Sequence, residues 1–368
     1  MTFLCHGFRG RILRKNRFFP LKWVPNCTIL WPRFSIFTQP ELDFSTLNHL
    51  FYLVRAVFWV TAAFLRANWH LARRAILQLD LPFPAALTSK DVRRLQHYYY
   101  GTTYLSSVFC ALRGRWRSPA EKRLFTNCSA LSFFFDDLVD DFKKHGDEEE
   151  NWQGKMYEFA EASDERGLAV HFLHNIYLHM PTEDVAAFKS FMKQVFEVQF
   201  EGRRQRDIAL GMADLKRLTR IKGGYSVLMF RRLLTNKILR NEQQAILEFG
   251  YLMQLADDIF DLWHDRQAGV RTLATITDST ASLSQIFEEQ VATVRVAFRK
   301  TDFPKIQIET ALCILLGIIS VTRVCLSQYH FWEKKLGALP LEDRGKMVCD
   351  MEKWQNIARA GWGCLRNR

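Results

Sequence analysis

Residues 250–272 read Gly250-Tyr-Leu-Met-Gln254-Leu-Ala-Asp257-Asp258-Ile-Phe-Asp261-Leu-Trp-His-Asp265-Arg266-Gln-Ala-Gly-Val-Arg271-Thr. Asp257, Asp261 and Asp265 stand at i, i+4 and i+8, so on a helix three carboxylates line one stripe, with Asp258 beside it. The turns before them are apolar, which makes this a buried helix that turns acidic at one end. A solvated helical face would interleave Lys or Glu–Lys pairs. Here no cation appears until Arg266.

A second stretch carries the same contradiction. Leu131-Ser-Phe133-Phe134-Phe135-Asp136-Asp137-Leu-Val-Asp140-Asp141-Phe places four carboxylates directly after three phenylalanines. Asp is a poor mid-helix residue, and Asp136/Asp140 and Asp137/Asp141 are like-charged i, i+4 neighbours that repel. A solvated helix end is the structural alternative, supported by Lys143, Lys144 and the acidic run Asp147–Glu150. The Phe-rich approach argues against it. Two carboxylates on one helical face can hold Mg²⁺ and leave ligand positions for phosphate oxygens and water. Two such helices, separated by about 120 residues, can face each other across a bundle, and the pair is far more specific than either member.

Working outward, Pro and Gly punctuate apolar 3.6-period segments at Pro82/Pro84, Pro119, Pro181, Gly211, Gly223/Gly224, Pro304 and Pro340. The pattern predicts helices near 41–79, 89–113, 119–144, 151–179, 182–209, 213–238, 241–265, 280–300, 304–335 and 341–365. Ser118–Pro119 followed by Glu121, and Pro181–Thr182 followed by Glu183 and Asp184, read as helix starts. No segment has the period-two alternation of a strand. The expected fold is all-α: one large helical bundle over residues 41–368 with a central active-site cavity, preceded by a basic, Pro-containing extension over 1–40.

With 48% hydrophobic residues the chain as a whole is not disordered. Its net charge of +12 is unevenly placed: residues 1–40 carry Arg9, Arg11, Arg14, Lys15, Arg17, Lys22 and Arg33 and no acid. The body is left near +5, which argues against a nucleic-acid groove. The basic arm suits an anionic membrane surface or a targeting segment. Eight cysteines form no CxxC pair and no zinc spacing, and read as reduced thiols in a cytosol-like compartment. Leu47–Leu65 and Ala311–Val321 are interrupted or too short to span a bilayer and read as core helices.

A diphosphate held by metals also needs cationic donors. Arg220 and Lys222 crowd a helix before Gly223–Gly224, where the glycines suggest a local break exposing backbone N–H groups; Lys222 directly precedes that break. Arg271 follows the second acidic stretch on an expected loop, with Arg266 nearby. Arg113, Arg115 and Arg117 end an upstream helix and read as structural.

Together these elements resemble the class I isoprenoid synthase superfamily of trans-prenyltransferases, terpene cyclases and squalene/phytoene synthases. Asp136-Asp137-x-x-Asp140 resembles its first aspartate-rich motif, and Gln254-x-x-Asp257-Asp258-x-x-Asp261 its second. Asp257, Asp261 and Asp265 also match the cyclase metal triad, Lys222-Gly-Gly the diphosphate-gripping Lys element, and Arg271 the lid lysine. The resemblance covers roughly residues 90–275. It implies three Mg²⁺ ions held by Asp136, Asp137, Asp140, Asp257, Asp258, Asp261 and Asp265, with Arg220, Lys222, Arg266 and Arg271 on the substrate diphosphate. Phe133, Phe134, Tyr225 and Phe260 would line the cavity. The implied activity is ionisation of an allylic prenyl diphosphate followed by carbocation cyclisation, with Asp136, Asp140, Asp257, Asp261, Lys222 and Arg271 as the catalytic set. The chain departs from the pattern where Phe142-Lys143-Lys144-His145-Gly146 replaces the Arg-Arg-Gly element that helps bind isopentenyl diphosphate, which puts condensation in doubt. Condensation of prenyl diphosphates is the alternative. The expected partners are the substrate and, through the basic arm, a membrane surface, with no nucleic acid; a homodimer is compatible with this reading, in a cytoplasmic or membrane-associated setting.

Overall fold

The computed structural model describes residues 88–145, 165–235, 237–351 and 353–366, together with Val54. The expected 1–40 extension, the 41–79 helix and the first half of the 151–179 helix lie outside these residues. Among the described residues every regular element is helical: α1 (Ser89–Leu112), α2 (Pro119–His145), α3 (Glu165–His179), α4 (Thr182–Glu201), a 3-10 turn (Gly202–Arg206), α5 (Met212–Arg231), α6 (Glu242–Phe260), α7 (Leu262–Gln267), α8 (Leu273–Ile276), α9 (Thr280–Arg299), α10 (Lys305–Leu336), α11 (Arg344–Met347) and α12 (Trp354–Arg366).

The helix starts follow from local chemistry. Thr88 and Asp91 form a reciprocal capping box on α1, with the Asp91 amide donating to the Thr88 hydroxyl at 3.2 Å and the Thr88 amide to the Asp91 carboxylate at 3.0 Å. Ser118 and Glu121 do the same for α2, at 3.1 and 2.7 Å. Aromatic rings fill the interior between these helices. Phe249 of α6 meets Phe109 of α1 and Phe298 of α9 edge-on, Phe125 of α2 lies against Phe230 of α5, and Phe134 stacks on Phe172 of α3. α10 runs through this core, and Tyr104 of α1 inserts its hydroxyl between turns of it, donating to the Ile314 carbonyl and accepting from the Ile318 amide. Among the described residues, α10 is the one helix long and apolar enough to cross a membrane; 83% of its most apolar window is buried inside the bundle.

Three expectations are corrected. The Gly223–Gly224 pair does not break a helix: α5 is continuous from Met212 to Arg231, because the missing side chains serve close packing rather than a turn. A Cβ on Gly250 of α6 would come within 2.6 Å of the Gly224 Cα and press on the Gly223 carbonyl, so the two backbones cross where neither carries a side chain. The 182–209 helix stops at Glu201, where the chain tightens into a 3-10 turn. The 341–365 helix is two pieces, α11 and α12, separated by an irregular segment whose Asp350 carbonyl accepts the Asn356 side-chain amide at 2.8 Å.

One end of the bundle is a buried ionic hub. Glu242, in the first turn of α6, accepts from Arg113 at 2.6 Å and from Arg231 at 2.6 Å, and also from the Leu239 amide at 2.8 Å. Arg231 and Glu242 are both completely buried. Beside it, Glu121 accepts a fork of two bonds from Arg115 at 2.6 and 2.7 Å and one from the Thr235 amide at 3.0 Å. Burial would raise Glu121, but Arg115, Ser118 and Thr235 together hold its carboxyl down at about 2. Arg113 and Arg115 are thus committed to structure, as their sequence position suggested; burial lowers the Arg117 guanidinium, which lies over the Phe125 ring.

Candidate functional site

The hub locates the two acidic stretches relative to each other. Asp136 lies 15 residues beyond Glu121 on α2, and Asp257 lies 15 residues beyond Glu242 on α6. At 1.5 Å per residue each is about 22 Å along its helix from the same anchored end. Contacts at the far end agree. Phe135 on α2 packs against Phe196 on α4; Glu201 at the end of α4 pairs with Arg217 on α5; Thr219 on α5 bonds Asp258 on α6. Side-chain contacts thus link α2 to α6 through α4 and α5. The side chains of Asp136, Asp137, Asp140 and Asp141 lie outside the described residues; their backbone is helical.

Asp257, Asp258 and Asp261 are buried, with 4–5% of each exposed. α6 ends at Phe260 and α7 begins at Leu262, yet the ladder passes through the joint: the Asp261 amide donates to the Asp257 carbonyl at 2.9 Å and the Asp265 amide to the Asp261 carbonyl at 2.8 Å. The stripe expected from the i, i+4, i+8 spacing survives the joint. Tyr329 of α10, fully buried, donates its hydroxyl to the Ile259 carbonyl at 2.8 Å beside it.

The four carboxylates differ in what surrounds them. Asp258 turns toward α5, accepting from the Gln254 amide at 3.0 Å and the Thr219 hydroxyl at 3.2 Å. Gln254 also reaches Asp257 at 3.1 Å. Burial pushes Asp258 up to about 6, against the opposing pull of Gln254 and Lys222. Burial, then the nearby Asp258 charge, pushes Asp265 up to about 8, again opposed by Lys222. Asp261 is raised well above the carboxylate range by burial and by Asp257, Asp265 and Asp258, and its Oδ1 is buried without a hydrogen-bond partner among the described residues. These are groups whose ionised forms their buried surroundings disfavour.

Lys222 stands close enough to oppose the raising of Asp258 and Asp265, and among the described residues it forms no ion pair within 4.0 Å; the helix break that singled it out in the sequence is not there. Thr219, three residues earlier on the same face of α5, was missed by sequence reasoning; the i, i+3 offset from Lys222 was the signal that could have found it. Arg271 is not a free lid residue. Its amide donates to the Gln205 carbonyl at 2.6 Å, its carbonyl accepts the Gln205 side chain at 3.0 Å, and its guanidinium donates to the Leu210 carbonyl at 3.1 Å. It ties the loop after α7 to the 3-10 turn after α4, with its Nε left buried and unbonded among the described residues. Arg220 is drawn away from the acids into a pair with Glu248, and Arg266 is exposed.

Of the four aromatic residues expected along a cavity, Phe133 and Phe134 are fully packed. Phe133 meets Tyr98 at 5.9 Å and lies under the Arg94 guanidinium, while Phe134 stacks on Phe172 at 5.8 Å. Phe260 is buried and Tyr225 partly buried beside the core.

Among the described residues no three His, Cys, Asp or Glu side chains converge as a metal site requires. Asp258 is spent on Thr219 and Gln254, and the remaining acids stand one above another along a single stripe. The donor chemistry nevertheless suits a hard divalent cation: acid oxygens, one of them orphaned, raised by one another and faced by one lysine. A closed coordination set would need ligands beyond this stripe. No protein-family model matches this chain, and no curated protein matches it in sequence.

Proposed function

We propose that this protein is a Mg²⁺-dependent class I terpene synthase that ionises an allylic prenyl diphosphate and cyclises the resulting carbocation. The observation that supports this reading is the buried acidic stripe Asp257, Asp261 and Asp265 with Asp258 beside it and Lys222 close enough to oppose the raising of Asp258 and Asp265. A solvated structural surface would not carry a buried, self-repelling acidic turn such as Asp257, Asp258 and Asp261 on α6.

In this reading Asp257, Asp261 and Asp265 from one side, and Asp136, Asp137 and Asp140 from the other, would hold the ions, which when bound supply Lewis-acid assistance to the departing diphosphate. Lys222 donates charge-assisted hydrogen bonds to the diphosphate oxygens. Thr219 and Gln254 hold Asp258 so that α5 keeps Lys222 against the acidic stripe. Arg271, with its backbone locked to Gln205, positions the loop after α7; its unbonded Nε is a donor available to an anion entering beside Asp265. Arg220 and Arg266 are assigned no role here. Water must be kept from an allylic cation, and the aromatic core below the site is built to exclude it.

Condensation of two prenyl diphosphates is the second reading, weakened by the Lys143-Lys144-His145 sequence where an Arg-Arg-Gly element would help bind the second substrate. The test is diphosphate release from prenyl diphosphates of C10 to C25, with and without isopentenyl diphosphate, for the wild type and for Asp136→Ala and Asp257→Ala made separately. Release without isopentenyl diphosphate, lost in both variants, supports cyclisation. Unchanged turnover in both variants overturns the assignment, and a strict requirement for isopentenyl diphosphate transfers it to the condensing reading.

A further inference from the structure

The last helix presents a face that the bundle does not use. α12 docks through Ala360 and Cys364, both fully buried, the thiol lying 3.4 Å from the Leu316 carbonyl and 3.3 Å from the Ser320 hydroxyl of α10. On another face Trp354 is 74% exposed and Trp362 62% exposed, with exposed Ala358 between them. The three stand at i, i+4 and i+8, a stripe about 12 Å long.

Two indoles in water on one helix are unusual, because Trp is the largest apolar side chain and is normally covered. Their surroundings say what covers them. Within α12 itself the charged residues are Arg359 and Arg366, with no acid; Lys353 directly precedes the helix, and Asp350 and Glu352 stand just before it. Lys353 and Arg359 are exposed alongside the tryptophans. An apolar protein partner would be met by an apolar surface without this one-signed charge. Indole rings on a helix whose own charged residues are all basic match the headgroup layer of an anionic bilayer, where the ring is partly apolar, its N–H finds acceptors, and lysines and arginines meet lipid phosphates.

We propose that the Trp354–Ala358–Trp362 face of α12 binds an anionic membrane surface, lying in the plane of the headgroups. The proposal is independent of the chemistry assigned above and of the basic arm at residues 1–40.

The test is flotation of the full chain with phosphatidylcholine vesicles and with vesicles containing about 30% phosphatidylserine, in about 0.1 M NaCl. The wild type is expected to float with the anionic vesicles only, with a blue shift of tryptophan emission. Trp354→Ala/Trp362→Ala should weaken partitioning roughly ten-fold or more, and Arg359→Glu should weaken it and flatten its salt dependence. Circular dichroism checks the fold; should the double variant fail to fold, Arg359→Glu and Trp354→Ala alone carry the comparison. The proposal is overturned if the wild type does not float, if the double variant floats as well as wild type (binding then lies elsewhere, as on the arm), or if the substitutions convert a dimer to a monomer without changing flotation. A shift by the same variants in binding to a nucleic acid but not to vesicles would also overturn it.

Discussion

Replacing Gly250 with Ala adds one methyl group at the point where α5 and α6 touch, and the result can be worked out from the geometry. The new Cβ would lie 2.6 Å from the Gly224 Cα and against the Gly223 carbonyl. Carbon atoms pack at about 3.5–4.0 Å, so the helices must part by about 1 Å. Overpacking of this kind costs about 1–3 kcal/mol, and backbone cannot rotate aside as a side chain can. Replacing a mid-helix Gly returns about 1 kcal/mol of helix propensity. The net loss is at most about 2 kcal/mol, a fall of up to roughly 4 °C in Tm for a domain of this size. Because the crossing sets how far Lys222 stands from Asp258 and Asp265, turnover should fall further than stability predicts. Gly223→Ala, whose Cβ would lie 2.7 Å from the Gln254 Cβ and press on the Gly250 carbonyl, should behave alike. Gly224→Ala is the control: its Cβ meets a Leu247 methyl at 2.7 Å, and that side chain can turn away, so its stability should stay near wild type. Thermal unfolding with a parallel diphosphate-release assay reads all three. A Gly250→Ala protein as stable and as active as Gly224→Ala would refute the close crossing.

The two ends of the bundle should respond to pH with opposite sign. Glu121, held at about 2 against an ordinary 4.5, contributes stability above pH 4.5 that is lost as pH falls through about 2; the shift corresponds to on the order of 3 kcal/mol, and Glu121→Gln should flatten the acid limb of a Tm-against-pH curve. Asp258 and Asp265, raised from 3.8 to about 6 and about 8, contribute stability that is full below pH 3.8 and declines as pH rises through those values; in EDTA the Tm should fall over that range, and millimolar Mg²⁺ should reduce the fall. An identical curve with and without Mg²⁺ would count against cation binding. Glu242→Gln leaves Arg113 and Arg231 buried without their carboxylate and should destabilise by about 3–5 kcal/mol in urea unfolding, whereas a loss below about 1 kcal/mol would mean the hub is solvated. Lys222→Ala should raise KM for the prenyl diphosphate or abolish turnover while leaving Tm within about 1 °C, since Lys222 is committed to no ion pair among the described residues.

Most of the helical order was legible because it is written in short-range chemistry: Thr88/Asp91 and Ser118/Glu121 are caps that depend on three-residue spacing alone. The acidic stripe was legible for the same reason, since i, i+4, i+8 survives the joint at Asp261. What escaped were features set by partners distant in sequence. Gly223 and Gly224 read as a break until Gly250 is seen opposite them, and only the fold brings those residues together. Arg220 reads as a phosphate donor because a sequence shows its charge and not Glu248, which occupies it, and Arg271 reads as a free lid residue because a sequence does not show Gln205 and Leu210, which fix its backbone and one guanidinium nitrogen. Thr219 carries no charge to attract notice, yet with Gln254 it fixes Asp258. The four aromatic residues illustrate the limit best: a phenylalanine in a wall and one in a core have the same neighbours along the chain, and Phe133 and Phe134 turn out to be stacked among other rings.

The hub has a mechanical consequence. Helices clamped by buried arginines at one end behave as rods fixed in a common base, and the glycine crossing ties α5 and α6 partway along. A tilt of one degree at the base displaces a point about 22 Å away by about 0.4 Å. The acidic stripe of α6 is the end farther from that base, so the Thr219–Asp258 and Tyr329–Ile259 bonds are what keep a loosening around Glu242 from being magnified there.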